Sequence, residues 1–154
     1  MSLHIREITS ENWRAAAALS VSEEQQHFIE SNAFSMAECF YEKNAVSVGM
    51  YDNETLIGFA MYGWPDSQDQ STWLDRFMID RRFQGKGYAK RFLLLVIRYI
   101  EQQYDCVKIY LSIHPENAHA QKLYESMGFH LNGRIDDEGE VHGQVMELHL
   151  DAFI

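Results

Sequence analysis

The spacing of apolar positions changes several times along the chain. Leu3 and Ile5, with Ile8 close behind, predict a short opening strand. Ser10 begins a helix that carries Trp13 and the run Ala15 to Ala18, and alanine is the best helix former. Two further helical stretches are predicted over 22–29 and 35–41. The second has Ser35 and Glu38 spaced as a capping box. From Ala45 the period shortens. Residues 45–51 and 55–62 read as two strands of a hairpin about the turn Asp52-Asn53-Glu54. A polar loop over 63–70 leads into a strand over 71–79. A long helix is predicted from Gly87 to Tyr104, because Ala89, Phe92, Leu93, Val96, Ile97 and Ile100 recur at helical spacing. Residues 106–113 form the next strand, which Pro115 breaks. Asn117 caps a helix with Ala120, Leu123, Tyr124 and Met127 on its inner face, ending at Gly128. Two closing strands, 129–135 and 145–150, are joined by the turn Asp136-Asp137-Glu138-Gly139. The order predicts a mixed α/β fold with about seven strands.

Length and composition fit that picture. The chain has 154 residues, 46% of them hydrophobic and 23% charged. That predicts a single domain over residues 1–154 that buries about 70% of its unfolded surface and folds without a disulfide or metal. The 13 Lys and Arg against 23 Asp and Glu leave a net charge of −10. Such a balance excludes a general nucleic-acid binder, which needs a basic face to neutralise phosphates. It suits a cationic partner. Cys39 and Cys106 form no CxxC pair, so reduced, buried thiols are expected. The first residues have charges at once and no apolar core, unlike a signal peptide. The longest apolar run, 92–97, is far short of the ~20 residues a membrane span requires.

The chemistry concentrates in Asp80-Arg-Arg-Phe-Gln-Gly-Lys-Gly-Tyr-Ala-Lys90, between a predicted strand and a predicted helix. Glycines at 85 and 87 let backbone approach a bulky anion, and the unpaired amides of a helix start favour phosphate. A plain strand-to-helix turn would use the same two glycines. Neither a G-x-x-x-x-G-K-[ST] loop nor a dinucleotide fingerprint after the first strand is present. No Gly-x-Ser-x-Gly elbow indicates a hydrolase. The seven histidines, at 4, 27, 114, 119, 130, 142 and 149, show no ligand spacing, so no metal site is expected.

Gln84-x-x-Gly87-x-Ala89 resembles the pyrophosphate loop of the GCN5-related N-acetyltransferases (GNAT). Asn117-x-x-Ala120-x-x-Leu123-Tyr124-Glu125-x-x-Gly128-Phe129 resembles the same family's second acetyl-CoA motif. The two stand in order, separated by a helix and a strand, and the likeness covers nearly the whole chain. Within the family, VGMYDNETLIGFAMYG, WLDRFMID, QGKGYAKR, IYLSI and LYESMGF resemble the bacterial spermine/spermidine acetyltransferases.

The resemblance implies a mostly antiparallel sheet with helices on both faces and a splayed central strand pair. It implies acetyl-CoA as cosubstrate, no metal, and acetyl transfer to a primary amine of a polyamine by direct attack. Phe77, Met78 and Ile79 would hold the pantetheine arm and the acetyl carbonyl. Amides of Gly85, Lys86, Gly87, Tyr88, Ala89 and Lys90, with Gln84, would grip the pyrophosphate. Asn117 would bind the arm or simply cap its helix. Tyr124 would protonate the departing thiolate, or stand as a core aromatic. Asp75 would bind the cationic amine or relay its proton, or pair structurally with Arg76 or Arg82. Glu23, Glu24, Glu30, Asp66 and Asp69 could line an acceptor groove. Other acceptors (an aminoglycoside, an amino acid, a protein N-terminus) and a noncatalytic acyl-CoA-binding module stay open, as does a homodimer. A cytoplasmic location without membrane or nucleic-acid partners is expected.

Overall fold

The computed structural model describes residues 2–137 and 142–152, so two residues of the last predicted turn, Glu138 and Gly139, lie outside the described residues. Seven strands form one sheet: β1 (Leu3–Glu7), β2 (Ala45–Asp52), β3 (Thr55–Asp66), β4 (Ser71–Ile79), β5 (Lys108–Ile113), β6 (His130–Asp136) and β7 (Gly143–His149). Their order is β1-β2-β3-β4-β5-β7-β6. All neighbours are antiparallel except β4 and β5. The helices are α1 (Trp13–Ala18), α2 (Asn32–Glu42), α3 (Tyr88–Gln103) and α4 (Ala118–Ser126).

The helices cover both faces of the sheet. On one face, Phe92, Leu93, Val96, Ile97 and Ile100 of α3 are fully buried, with Tyr124 of α4, against Val48, Ile57, Ile109 and Met146. Burying each large aliphatic side chain is worth about 1.5–3 kcal/mol, which fixes α3 across the sheet. On the other face, Ala16 and Leu19 at α1 join Phe59, Met61 and Met78, with Met36 and Cys39 of α2 packed alongside. Both cysteines are free and half-buried.

Three local expectations change. Residues 23–28 form a 3₁₀ turn, since only Phe28 there is a large apolar residue and no helical stripe exists to bury. The true N-cap of α2 is Ser31, whose Oγ accepts from the Phe34 amide at 3.1 Å. Ser35 is therefore inside the helix, buried, with its hydroxyl donated to the Ser31 carbonyl at 2.9 Å. Strand β3 also runs on to Asp66, through an irregular stretch that tolerates Pro65.

Two irregularities open the middle of the sheet. The parallel pairing of β4 with β5 holds only from Ser71↔Lys108 to Trp73↔Tyr110, after which the strands part. On its other side β4 stays paired to β3, but the register skips Asp75: Met61 faces Arg76 while Tyr62 faces Leu74. Asp75 is thus the extra residue of a β-bulge. A plain strand with its two-residue period would put Asp75 on the same face as Phe77. The bulge breaks the two-residue alternation, and it is Leu74 that joins the cluster under α3 with Phe77 and Ile79.

Candidate active site

Where β4 leaves β5, a cavity of about 910 Å³ opens between the strands. Residues Asp75 to Ile79 line it from β4, and Leu111 to Ile113 from β5, with His114 just beyond the strand. Asn117, Ala120, Leu123 and Tyr124 close it from the α4 side. Gln84, Gly85, Gly87, Tyr88, Ala89 and Lys90 form one end. Of the thirteen residues singled out in the sequence, Lys86 is the exception; it is exposed and outside the lining.

The loop end is a backbone structure. Gly85 and Gly87 have φ of +76° and +84°, and a Cβ at either would meet nothing within 4 Å. The glycines therefore serve the left-handed backbone, and the space above them is open. Gly87 is the N-cap of α3 and makes no side-chain cap bond, so the helix start presents its amides and its positive dipole end. Gln84 braces the loop: its Nε2 donates to the Ile79 carbonyl and to Gln25 Oε1, each at 3.0 Å. The Tyr88 hydroxyl donates to Asp52 Oδ2 at 2.6 Å, anchoring the first turn of α3 to β2. Phe77, Met78 and Ile79 stay paired to β3, while their β5-facing edge borders the gap.

On the α4 wall, Asn117 is a cap: its Oδ1 accepts from the Ala120 amide at 3.2 Å. Tyr124 is 8% exposed and stacks edge-on with Phe129, ring centroids 5.7 Å apart. Burial raises its phenol above the usual range, so the hydroxyl keeps its proton.

The opposite end is built from charge. The buried Arg76 guanidinium meets three carboxylates: Asp75 at 2.6 Å, Glu38 at 2.9 Å and Glu30 at 3.0 Å. Its Nε donates to Ser35 Oγ at 3.0 Å. Arg82 instead pairs with Asp80 at 2.7 Å, so Asp75 has Arg76 as its partner. Glu30 is buried, and Glu38 and Asp75 are half-buried, around this one cation. Burial, opposed by Arg76 and aided by Asp75 and Glu42, lifts Glu38 to about 7. Burial also raises Asp75, against the pull of Arg76.

Glu42 and Asp136 extend this acidic lining. Of the acids expected to form an acceptor groove, only Glu30 lines the cavity; Glu23, Glu24, Asp66 and Asp69 do not. Asp69 is spent on Lys108 Nζ at 2.6 Å and the Tyr110 hydroxyl at 2.7 Å, which hold its carboxyl down at about 2. Asp66 accepts from the amides of Gln68 and Asp69 and so shapes its own turn. Sequence reasoning misses Glu38, Glu42 and Asp136. The four-residue spacing of Glu38 and Glu42 is visible, but a cap set at Ser35 puts Glu38 in a capping box and hides the face it shares with Glu42. Asp136 reads as a turn residue, although it is the last residue of β6.

Comparison with known proteins agrees with this geometry. The model of the acetyltransferase (GNAT) family matches residues 4–129. The spermine/spermidine N(1)-acetyltransferase of Bacillus subtilis (strain 168) is 43% identical over 148 residues, covering 91% of this chain and 95% of the relative. The spermidine N-acetyltransferase of Vibrio cholerae, solved in complex with CoA and spermine, shares the fold with a TM-score of 0.77 at 21% identity, over 97% of this chain and 96% of that one. A dodecameric structure of the Vibrio cholerae enzyme superposes with a TM-score of 0.73 at 21% identity, over 97% and 94% of the two chains. Splayed strands, glycine loop and motif order thus meet a family match over most of the sequence, and the chain belongs to the GNAT family of acetyltransferases.

Proposed function

We propose that the protein transfers the acetyl group of acetyl-CoA to a primary amine of spermine or spermidine by direct attack. The observation that carries this reading is a single cavity with an uncapped, glycine-bearing helix start at one end and a carboxylate cluster at the other. The first end suits an anion and the second a cation. The name of the Bacillus subtilis relative, with its identity over nearly both full lengths, supports the acceptor class.

On this reading the amides from Gly85 to Lys90, Tyr88 and Ala89 included, receive the pyrophosphate, and Lys90 adds charge at the rim. Lys86 contributes only from outside the lining. The gap-facing edge of Phe77, Met78 and Ile79 receives the pantetheine arm and the acetyl carbonyl. Asn117 spends its oxygen on the cap and offers its Nδ2 donors to the arm. Gln84 acts by holding the loop.

Asp75, Glu38, Glu42 and Asp136 draw in the ammonium. An ammonium has no lone pair, so it must first lose a proton. Glu38, lifted by burial to about 7, is matched to accept it near neutral pH, and Asp75, also raised by burial, stands on the same guanidinium. The amine nitrogen then bonds to the acetyl carbon and gives up its second proton to water, and the tetrahedral oxyanion collapses with cleavage of the C–S bond. Tyr124 gives its hydroxyl proton to the thiolate and recovers one from water. Cys39 and Cys106 lie outside the cavity lining, in keeping with direct attack.

This reading assigns the protein to the cytoplasm, in keeping with acetyl-CoA as its cosubstrate. Separately, no helix among the described residues is long and apolar enough to cross a membrane. Self-association, whether to a homodimer or a larger assembly, is expected and is read by light scattering.

The test is incubation with acetyl-CoA and spermine, spermidine, putrescine, an aminoglycoside and an amino acid, with mass spectrometry of the products. Singly acetylated spermine and spermidine are expected. Turnover of another amine alone removes the acceptor assignment. Acetyl-CoA binding with no turnover of any amine identifies a noncatalytic module.

A further inference from the structure

Outside the cavity, two of the histidines that looked dispersed in sequence come together. His130 on β6 lies directly opposite Glu147 on β7 in the strand register. His149 stands two residues beyond Glu147 on β7, so its side chain leaves the same face of the sheet. One ring nitrogen from each histidine and one Glu147 oxygen all lie within 4.8 Å of one another. The imidazoles are parallel to within 4°, with centroids 5.9 Å apart. His149 Nε2 already sits 2.5 Å from Glu147 Oε2.

We propose that His130, Glu147 and His149 bind one divalent transition-metal ion, with Zn²⁺ as the preferred ion. Two imidazoles and a carboxylate are a borderline donor set suited to zinc and cobalt rather than to calcium or magnesium. Zinc bonds of about 2.0–2.2 Å place its ligand atoms about 3.3 Å apart. The three groups reach that spacing by turning side chains, since imidazole χ2 is a soft torsion and the His149 side chain is 46% exposed. Three protein ligands leave the remaining position to water.

A second group orients the site. Asn132 Nδ2 donates to the other Glu147 oxygen, Oε1, at 2.9 Å, leaving Oε2 for the ion. The neighbouring cation on β5 is Lys108, opposite His149, and its ammonium is held by Asp69 at 2.6 Å. The bound ion would cross-link β6 to β7, where the ladder is irregular between Leu131 and Ile135. None of the three ligands lines the cavity, so the site stands apart from the acetyl-transfer machinery.

The experiment titrates Zn²⁺ into the untagged full-length chain by calorimetry and records the visible spectrum with Co²⁺ as the probe ion. One saturable site per chain is expected, with the intense absorption of cobalt held by nitrogen and oxygen in low coordination. His130→Ala and His149→Ala should each weaken binding at least tenfold, and Asn132→Ala by about 10–100-fold. His27→Ala should leave it unchanged, although His27 also contacts another imidazole, that of His114, at 5.4 Å between centroids. Circular dichroism of the metal-free variants checks that each is folded. No saturable site, or affinity unaltered in both His130→Ala and His149→Ala, overturns the assignment. Several weak sites of equal strength also overturn it, as scattered surface binding.

Discussion

The two ends of the cavity are made of different materials. The loop end uses backbone: two glycines with positive φ and the uncapped start of α3, all within a few residues of sequence. The acidic end uses side chains from three separate segments, Glu30 before α2, Glu38 within it, and Asp75 and Arg76 on β4. An anion of fixed shape can be held by a local backbone motif. A flexible cation needs charge placed by the tertiary fold, and charges buried there need a counterion of their own. Arg76 supplies it to all three acids, and burial keeps the proton affinity of Glu38 and Asp75 high against its pull.

The largest expected effect lies between the ends. Tyr124→Phe removes the proton donor and should lower kcat by about 10²–10⁴-fold, while KM for acetyl-CoA barely moves. Turnover within a factor of about two, measured where chemistry limits the rate, would pass the role to water or another group.

The ends should then separate by stability. Arg76→Leu leaves Glu30, Glu38 and Asp75 without their shared cation. Breaking such a buried network costs about 3–5 kcal/mol, measured by urea unfolding at neutral pH. A loss below about 1 kcal/mol would mean that water already screens the cluster. Gly87→Glu belongs to the other end. It introduces backbone strain of about 1–3 kcal/mol at φ +84° and sets a negative charge where the pyrophosphate should lie. Like-charge contact costs several kcal/mol, so acetyl-CoA affinity should fall on the order of 10²–10³-fold by calorimetry. Unchanged affinity in the folded variant would remove the loop assignment.

The same contrast explains what could be read from the sequence. The α3 stripe from Ala89 to Ile100 and the glycine loop are local signals, and both stand where they were expected. So does the Asn117 cap of α4. The acidic end was mostly illegible. Its membership depends on where α2 begins, and Ser31 wins the cap because its Oγ reaches the Phe34 amide, while Ser35 turns inward to Arg76. It also depends on the bulge at Asp75, which no alternation pattern reveals. Glu23, Glu24, Asp66 and Asp69 have the right charge but the wrong place, and only three-dimensional pairing, such as Asp69 with Lys108, separates them from Glu38.

The smallest effect tests the division of labour most directly. Glu38→Gln and Asp75→Asn each remove one negative charge and keep the shape; Arg76 retains two carboxylates in either case. Glu38 is protonated below about 7 and a carboxylate above it. Wild-type kcat/KM for spermidine should therefore rise with pH through that range, and the rise should shift or flatten in Glu38→Gln. Each variant should lose about tenfold or more in kcat/KM for spermidine at pH 7.5, approaching the lower bound for a lost general base, while calorimetric affinity for acetyl-CoA stays within about twofold. Equal losses at both ends, or an unaltered spermidine kcat/KM and pH profile in both variants, would contradict a cavity divided between an anion end and a cation end.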